Sequence, residues 1–335
     1  MNMKTIMNKI KTISMLALPM ALALGMSSCK NGDPEFDDYE GGTTVYFSYQ
    51  DPVRTIVLGD DVYDTSMDKE HKCKIKATFG GSYNGANASV DVAVDNSLVD
   101  HLFFSDGSPV KAMPESYYKL TSSTIQFKGD FSAGVDVQLT DAFFNDPEAV
   151  KTTYVIPLVM TGQKGFGKIN TGTLKEGAQG SRTNPYLWDD APKDYVLYCV
   201  KFQNKYSGWW LTNHSTSTDN IEKASQVQVT TKGLYQSVYT VEYTEGKNSY
   251  KADLLLTFDQ NGKCTISSLT PGVTATGSGS WGDNIMKQAW GQKDRDGMNL
   301  KYEITFADGY KKSVDETLVF MRSGVTSQEF APVYK

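Results

Sequence analysis

From Thr43 to Arg322 the chain is written almost entirely in short runs that alternate apolar and polar residues, and that period of two constrains the fold most strongly. Successive side chains of a strand point to opposite faces, so such runs suit half-buried antiparallel sheets. Seven runs come first: "TTVYFSY", "RTIVLG", "CKIKATF", "ASVDVAV", "STIQFKG", "VDVQLT" and "TYVIPLVM". They are β-branched or aromatic and are separated by Gly, Pro, Asp and Asn, which predicts an antiparallel sandwich. Pro157 lacks an amide proton and marks the seventh run as an edge strand or a bulge.

Eight more runs follow: "YVLYCVKF", "GWWLTN", "SQVQVTT", "SVYTVEYT", "YKADLLLTF", "KCTISSL", "LKYEITF" and "DETLVFMR". With hairpin turns at Asn261-Gly262 and Asp308-Gly309, they predict an up-and-down barrel. Only "DNIMKQAW" has helical spacing, with Ile285/Ala289 and Met286/Trp290 each on one face. About 300 ordered residues exceed one comfortable core, so two domains are expected. The Gly-, Thr- and Asn-rich stretch 163–194 reads as the connector between a sandwich at 43–162 and a barrel at 195–335. The fold class expected is all-β.

The N-terminus carries a different message. Lys4, Lys9 and Lys11 precede the apolar stretch Ile13 to Met26, which is shorter than the roughly 20 residues of a spanning helix. Residues 1–28 therefore read as a signal peptide. Ser27 and Ser28 lead directly into Cys29, and the pattern resembles a bacterial lipobox, which implies lipidation of Cys29 and anchoring in a membrane. Residues 29–42 are polar and acidic, a tether without an apolar face. Without residues 1–28, which hold three lysines and no acid, the net charge of −6 becomes −9. No basic stripe offsets it, so nucleic acid is not an expected partner.

Chemical signatures are sparse. Cys73, Cys199 and Cys264 are widely spaced and fit buried free thiols, with a Cys199–Cys264 bridge left open if both lie in one domain. His71, His101 and His214 are isolated and read as loop or strand-end residues. "GSGSWG" matches G-x-G-x-x-G but lies in a β region without the helix that motif needs, so it reads as a loop. "QKDRDGMNLKYE" places Asp294, Asp296, Gly297 and Glu303 near calcium-loop spacing. Gln292 stands where a carboxylate is needed, and a strand follows instead of a helix. It reads as a charged turn, with a calcium site on Asp294 and Asp296 as the alternative; no other cofactor is expected.

Aromatic residues are abundant, with 5 Trp, 19 Tyr and 15 Phe. Exposed rings beside amides and carboxylates make carbohydrate platforms, and the same rings fill cores. Trp209, Trp281, Trp290 and Tyr206 are the candidate glycan-binding residues. Trp210 reads as structural: "GWW" resembles the first strand of lipocalins, in which an arginine of the last strand covers the tryptophan, a role that falls to Arg322 here.

Together "MPESYYKLTSSTIQFKGDFSAGVDVQLTD", "TTYVIPLVM", "KFQNKYSGWWL", "LLLTFDQNGKCTI", "WGQKDRDGMNLKYEI" and "ETLVFMR" resemble two-domain lipoproteins of Bacteroidetes polysaccharide-utilisation loci. Many of their domains have no known function. That resemblance implies an N-terminal immunoglobulin-like sandwich, of the kind found ahead of family-18 glycosidase modules, and a C-terminal lipocalin-like barrel. It also implies capture of polysaccharide or oligosaccharide at the outer face of the outer membrane for a neighbouring importer. The acidic cluster of the family-18 catalytic motif is absent, so non-catalytic glycan binding is the leading expectation. A glycoside hydrolase using Asp283, Asp294, Asp296 or Glu303 is one alternative. A structural surface protein such as a pilus subunit or adhesin is another.

Overall fold

Alternation becomes strand along nearly the whole chain. The structure, a computed structural model, describes residues 37–335; the signal peptide, Cys29 and the first part of the acidic tether lie outside the described residues. Nine strands come first: β1 (Thr44–Tyr46), β2 (Pro52–Val57), β3 (Lys72–Gly80), β4 (Ala86–Val94), β5 (Tyr118–Leu120), β6 (Thr124–Asp130), β7 (Ser132–Leu139), β8 (Tyr154–Lys164) and β9 (Tyr195–Gln203). Eight then form a closed barrel: β10 (Gly208–Thr212), β11 (Ser225–Gly233), β12 (Gln236–Glu245), β13 (Asn248–Phe258), β14 (Lys263–Ser268), β15 (Thr274–Trp290), β16 (Lys293–Thr305) and β17 (Lys311–Arg322). A last piece, β18 (Gln328–Glu329), returns to the first domain.

The first domain is a sandwich. One sheet has the order Lys168–Ile169, β1, β3, β7, β5; the other runs β18, β2, β9, β8, β4, β6. Ile75, Phe79, Val90, Ile125, Val137 and Phe202 meet between them. The second sheet is also covered on its outer face, where Val155, Leu197 and Cys199 pack on Leu102 and Phe104. A strand buried on both faces reads as a continuous apolar run. That is why "YVIPLVM" is buried from Val155 to Met160 without alternation.

Three strand expectations are corrected. β8 is central, between β9 and β4, and not an edge strand. Pro157 is tolerated there because its carbonyl takes the Asp95 amide just past the end of β4, where its missing N–H faces no ladder; a bulge follows between Met160 and Gly162. Second, "YVLYCVKF" is not the first barrel strand. It is β9, antiparallel to β8 and parallel to β2, with Val196, Val200 and Phe202 in one core and Leu197 and Cys199 in the other. The sandwich thus extends past the stretch 163–194, and Cys199 and Cys264 lie in different domains as buried free thiols.

Third, the sixth barrel strand, β15, is built from the glycine-rich segment expected as a loop and the segment expected as a helix. Gly277 and Gly279 lie opposite Tyr302 and Leu300. A Cβ on Gly277 would come within 2.4 Å of the Tyr302 Cβ, and one on Gly279 within 2.8 Å of Leu300 Cδ2. The glycines therefore admit bulky neighbours to a narrow barrel, and G-x-G-x-x-G is a packing pattern here. Beyond Gly282 the strand bulges twice: the pairs Gly282↔Gly297, Met286↔Arg295 and Trp290↔Lys293 advance four residues on β15 for every two on β16. Asn284 and Gln288 take left-handed backbone conformations. The Asn284 N–H is accepted by Asp296 Oδ1 at 2.9 Å and the Gln288 N–H by Asp294 Oδ1 at 3.0 Å. A four-residue bulge repeat puts Met286 and Trp290 on one side, the same spacing a helix would give.

The two domains are joined twice. The chain enters the barrel through Asn204–Ser207 and leaves it after Arg322. β18 then pairs with β2, and Val333–Tyr334 pairs with Leu102–Phe103. Asn204 is buried at the first crossing. Its Nδ2 lies 2.8 Å from the Gly233 carbonyl, 2.9 Å from that of Gln236 and 3.0 Å from Ser237 Oγ; its Oδ1 accepts from Tyr206 N–H and Ser207 Oγ. Gln203 Nε2 donates to the carbonyls of Ser207 and Ser323, bridging both crossings. Asn204→Leu strands two buried carbonyls and is expected to remove roughly 2–4 kcal/mol of unfolding free energy in urea titration; a loss under about 1 kcal/mol would show the crossing stands without this side chain.

Candidate functional site

β11 and β12 pair only between Val229–Gly233 and Gln236–Tyr239. Above that point they part, β11 staying on β10 and β12 on β13. The opening is a cavity of about 620 Å³ at the end of the barrel away from the two crossings. Its size lies within the range of small-molecule pockets. Tyr239, Tyr243, Gln226, His214, Lys312 and Glu316 are among its lining residues.

The chemistry centres on Glu316. Strand alternation along β17 points Val314, Leu318 and Phe320 inward, and Glu316 shares their parity. It is 2% exposed. Tyr302 Oη donates to its Oε1 at 3.1 Å. Its Oε2 accepts from Thr212 Oγ1 at 3.3 Å and Tyr239 Oη at 3.4 Å, with His214 Nδ1 at 3.7 Å. Tyr302 is tied to Tyr243 by a 2.7 Å hydroxyl contact. Burial, reinforced by the Glu316 charge, drives the Tyr239 and Tyr302 phenols well above their ordinary range, and burial pushes Tyr243 up to about 12. All three stay protonated and can donate. Such a floor can hold a ligand donor against a fixed carboxylate.

Rings and charges cluster at this end of the barrel. Lys312 Nζ stands 4.5 Å over the Tyr243 ring, Tyr250 stacks on Tyr310 at 4.1 Å, and Tyr250 Oη donates to Asp308 at 2.8 Å. Tyr243, Tyr250 and Tyr310 are half-buried, so part of each ring faces solvent.

The sequence candidates lie elsewhere and are not gathered into one platform. Tyr206 is fully buried, stacked on Phe258 at 3.7 Å, at the barrel end nearest the crossings. Trp281 meets Tyr206 edge-on at 5.5 Å and carries Lys205 Nζ 4.2 Å over its ring. The Tyr206 hydroxyl and the Trp281 indole nitrogen are enclosed without a protein partner. Trp209 lies against Gly324 on the return crossing, where a Cβ would meet its ring at 2.6 Å. Trp290 lies under the Arg295 guanidinium at 4.7 Å, in an outer-wall cluster with Leu211, Ile221 and Val319. Trp210 is fully buried, but its ring partner is Phe320 at 5.2 Å; Arg322 pairs in register with Trp209, so the lipocalin arrangement of arginine over tryptophan is not reproduced.

The carboxylates divide as well. Asp294 is exposed and bound to Lys287 at 2.8 Å, and Glu303 is exposed on the barrel wall. Asp296 gathers instead with Asp283 and Asp60 of the sandwich, ligand atoms within 4.8 Å of one another, as the group that could hold a cation. Lys69 already pairs with Asp60. Burial, then the Asp283 carboxyl, pushes Asp296 up to about 7, so a cation would have to displace a proton below neutrality.

His214, expected as an idle loop residue, is the missed participant. A left-handed backbone at the turn after β10 aims it at Glu316, whose contact holds its pKa above the ordinary 6.5. Parity along "VDETLVF" was the available signal for Glu316 itself.

Two pH responses follow. The His214–Glu316 pair contributes fully below about 6.5 and fades as pH climbs through the raised folded value, because only the imidazolium pairs with the carboxylate. Lys312 opposes protonation, and the neutral phenols of Tyr239 and Tyr302 leave it unchanged. An NMR titration of His214 should show its pKa fall in Glu316→Gln; an unchanged value would rule the pairing out. Asp296 acts in the same direction at lower pH: the fold keeps its proton to about 7 while the unfolded chain releases it near 3.8, so stability declines across that window. Asp296→Asn should flatten part of the fall in Tm between those limits, and an unaltered profile would exclude this burial effect.

Comparison with known proteins adds family relationships. A family described as a domain of unknown function, DUF5627, matches residues 188–324, and a family described as an N-terminal domain matches residues 38–167. A protein of unknown function from Bacteroides ovatus, solved by crystallography, is similar in structure with a TM-score of 0.79 and 33% sequence identity, covering 89% of this chain and 100% of that one. No functionally curated protein matches the chain.

Proposed function

The chain belongs to the same family as that Bacteroides ovatus protein, with DUF5627 as its second domain, and from this premise we propose that it is a lipid-anchored surface protein that captures glycans without cleaving them. The observation that carries the reading is the cavity at the barrel mouth, where the half-buried Tyr243 ring stands beside a fixed carboxylate and several hydroxyl groups. Sugar rings offer C–H faces to aromatic side chains and hydroxyls to polar ones, and this combination answers both.

Absence of cleavage has a geometric argument. Glycoside hydrolysis needs two carboxylates across the scissile bond, about 5–9.5 Å apart according to stereochemistry. Among the described acids lining the cavity, Glu316 faces inward, whereas Glu242 and Asp315 are exposed and occupy the outward parity of their strands. Glu316 is also held by phenols instead of facing a second acid. Anchoring through Cys29, with the acidic tether spacing the domains from the outer membrane, would let modest single-site affinity work through surface density. A neighbouring importer would receive the captured glycan.

Affinity electrophoresis through gels containing plant and host polysaccharides tests the proposal. Retardation is expected with at least one glycan, weakened about tenfold by Tyr243→Ala and unchanged by Trp290→Ala on the outer wall. No retardation by any glycan, or loss on Trp290→Ala with Tyr243→Ala unaffected, would sink it.

A further inference from the structure

We infer that the barrel-mouth site selects glycans bearing a free, protonated amine, with Glu316 as the residue that reads it; this rests on the glycan-capture reading. The first reason is the state of Glu316 Oε2. It is buried and charged, yet its protein donors stand at 3.3, 3.4 and 3.7 Å. Charge-assisted contacts to a carboxylate run about 2.7–2.9 Å, so these donors orient the group without saturating it. An ammonium entering from the cavity would supply the short, charged donor that the protein itself does not.

The inward charges of the cavity are few: among the described residues, Glu316 is the one lining carboxylate that faces in, beside Lys312 and His214. Lys312 Nζ lies over the Tyr243 ring, 4.5 Å away, instead of pairing with Glu316. Lys312 thus occupies the Tyr243 face and leaves the Glu316 carboxylate to a ligand ammonium. A uronic acid would meet the like charge of Glu316, and an N-acetyl group would replace the cation with a neutral amide. The ligand class is thus an amino sugar whose nitrogen is unacylated.

Matched oligosaccharides separate this inference from the reading beneath it. β-1,4-Glucosamine oligomers, β-1,4-N-acetylglucosamine oligomers and β-1,4-glucose oligomers share linkage and differ at one substituent. Their binding to the full chain would be measured by calorimetry at neutral pH, with tyramine as a non-sugar amine. At least about tenfold preference for the glucosamine series is expected, abolished by the near-isosteric Glu316→Gln and kept by Trp290→Ala. Equal affinity for the three series would overturn amine selection while leaving glycan capture standing. Binding of tyramine with no binding of any sugar would keep the amine reading of Glu316 and remove the glycan from it. If nothing binds, both fall. Should Glu316→Gln fail to fold, the wild-type preference among the three series still decides.

Discussion

The arrangement depends on a single buried carboxamide at the first domain crossing. Asn204 holds the β11–β12 turn through Gly233, Gln236 and Ser237 while fixing Tyr206 and Ser207 on its own strand. It therefore seats the barrel on the sandwich and clamps β11 to β12 at one end. At the other end no pairing between them continues among the described residues, and the two strands separate into the cavity. Rigidity at the base and an opening at the mouth are two results of one local hydrogen-bond pattern. A buried polar group of this kind costs free energy unless every partner is present, and here both ends of the amide are satisfied.

Glu316 poses the same problem with a full charge. Placing a carboxylate on the inward parity of a barrel strand is expensive in an apolar core. Tyr239, Tyr302 and Thr212 share the load, and their phenols remain protonated because burial and the carboxylate both oppose their ionisation. A barrel of this size could have closed on valine and leucine alone, as it does at Val241, Leu254 and Leu300. The polar network instead sits where the wall is open, which couples the position of the charge to the position of access.

Much of this fold is legible in the sequence, because alternation is a direct record of which face is buried. Seven of the sandwich strands and seven of the eight barrel strands can be read from it, while the short β5 is missed. "YVLYCVKF" misleads because a strand buried on both faces gives no clue to which sheet claims it. "DNIMKQAW" misleads because a doubly bulged strand repeats every four residues and imitates a helix. Glycines at 277 and 279 look like a flexible loop until Tyr302 and Leu300 are seen across from them. The site was harder still. Tryptophans draw attention as ligand platforms, yet Trp210 fills the core, Trp281 backs Tyr206 and Trp290 covers the outer wall. The informative residue was an acid in the wrong phase, and phase becomes visible only once each strand's inward side is known.

The return of the C-terminus to the sandwich has a consequence for how the chain is made. Among the described residues, β2 gains its outer neighbour from Gln328–Glu329, and Leu102–Phe103 gains a second partner from Val333–Tyr334. The first domain is thus finished by segments that follow the barrel in the chain. A nascent chain arrested anywhere inside the barrel would carry an unpaired sheet edge and an uncovered apolar patch, both of which invite aggregation and proteolysis. The first domain is complete only after the barrel has been made, so products cut short before Gln328 carry their own mark for removal.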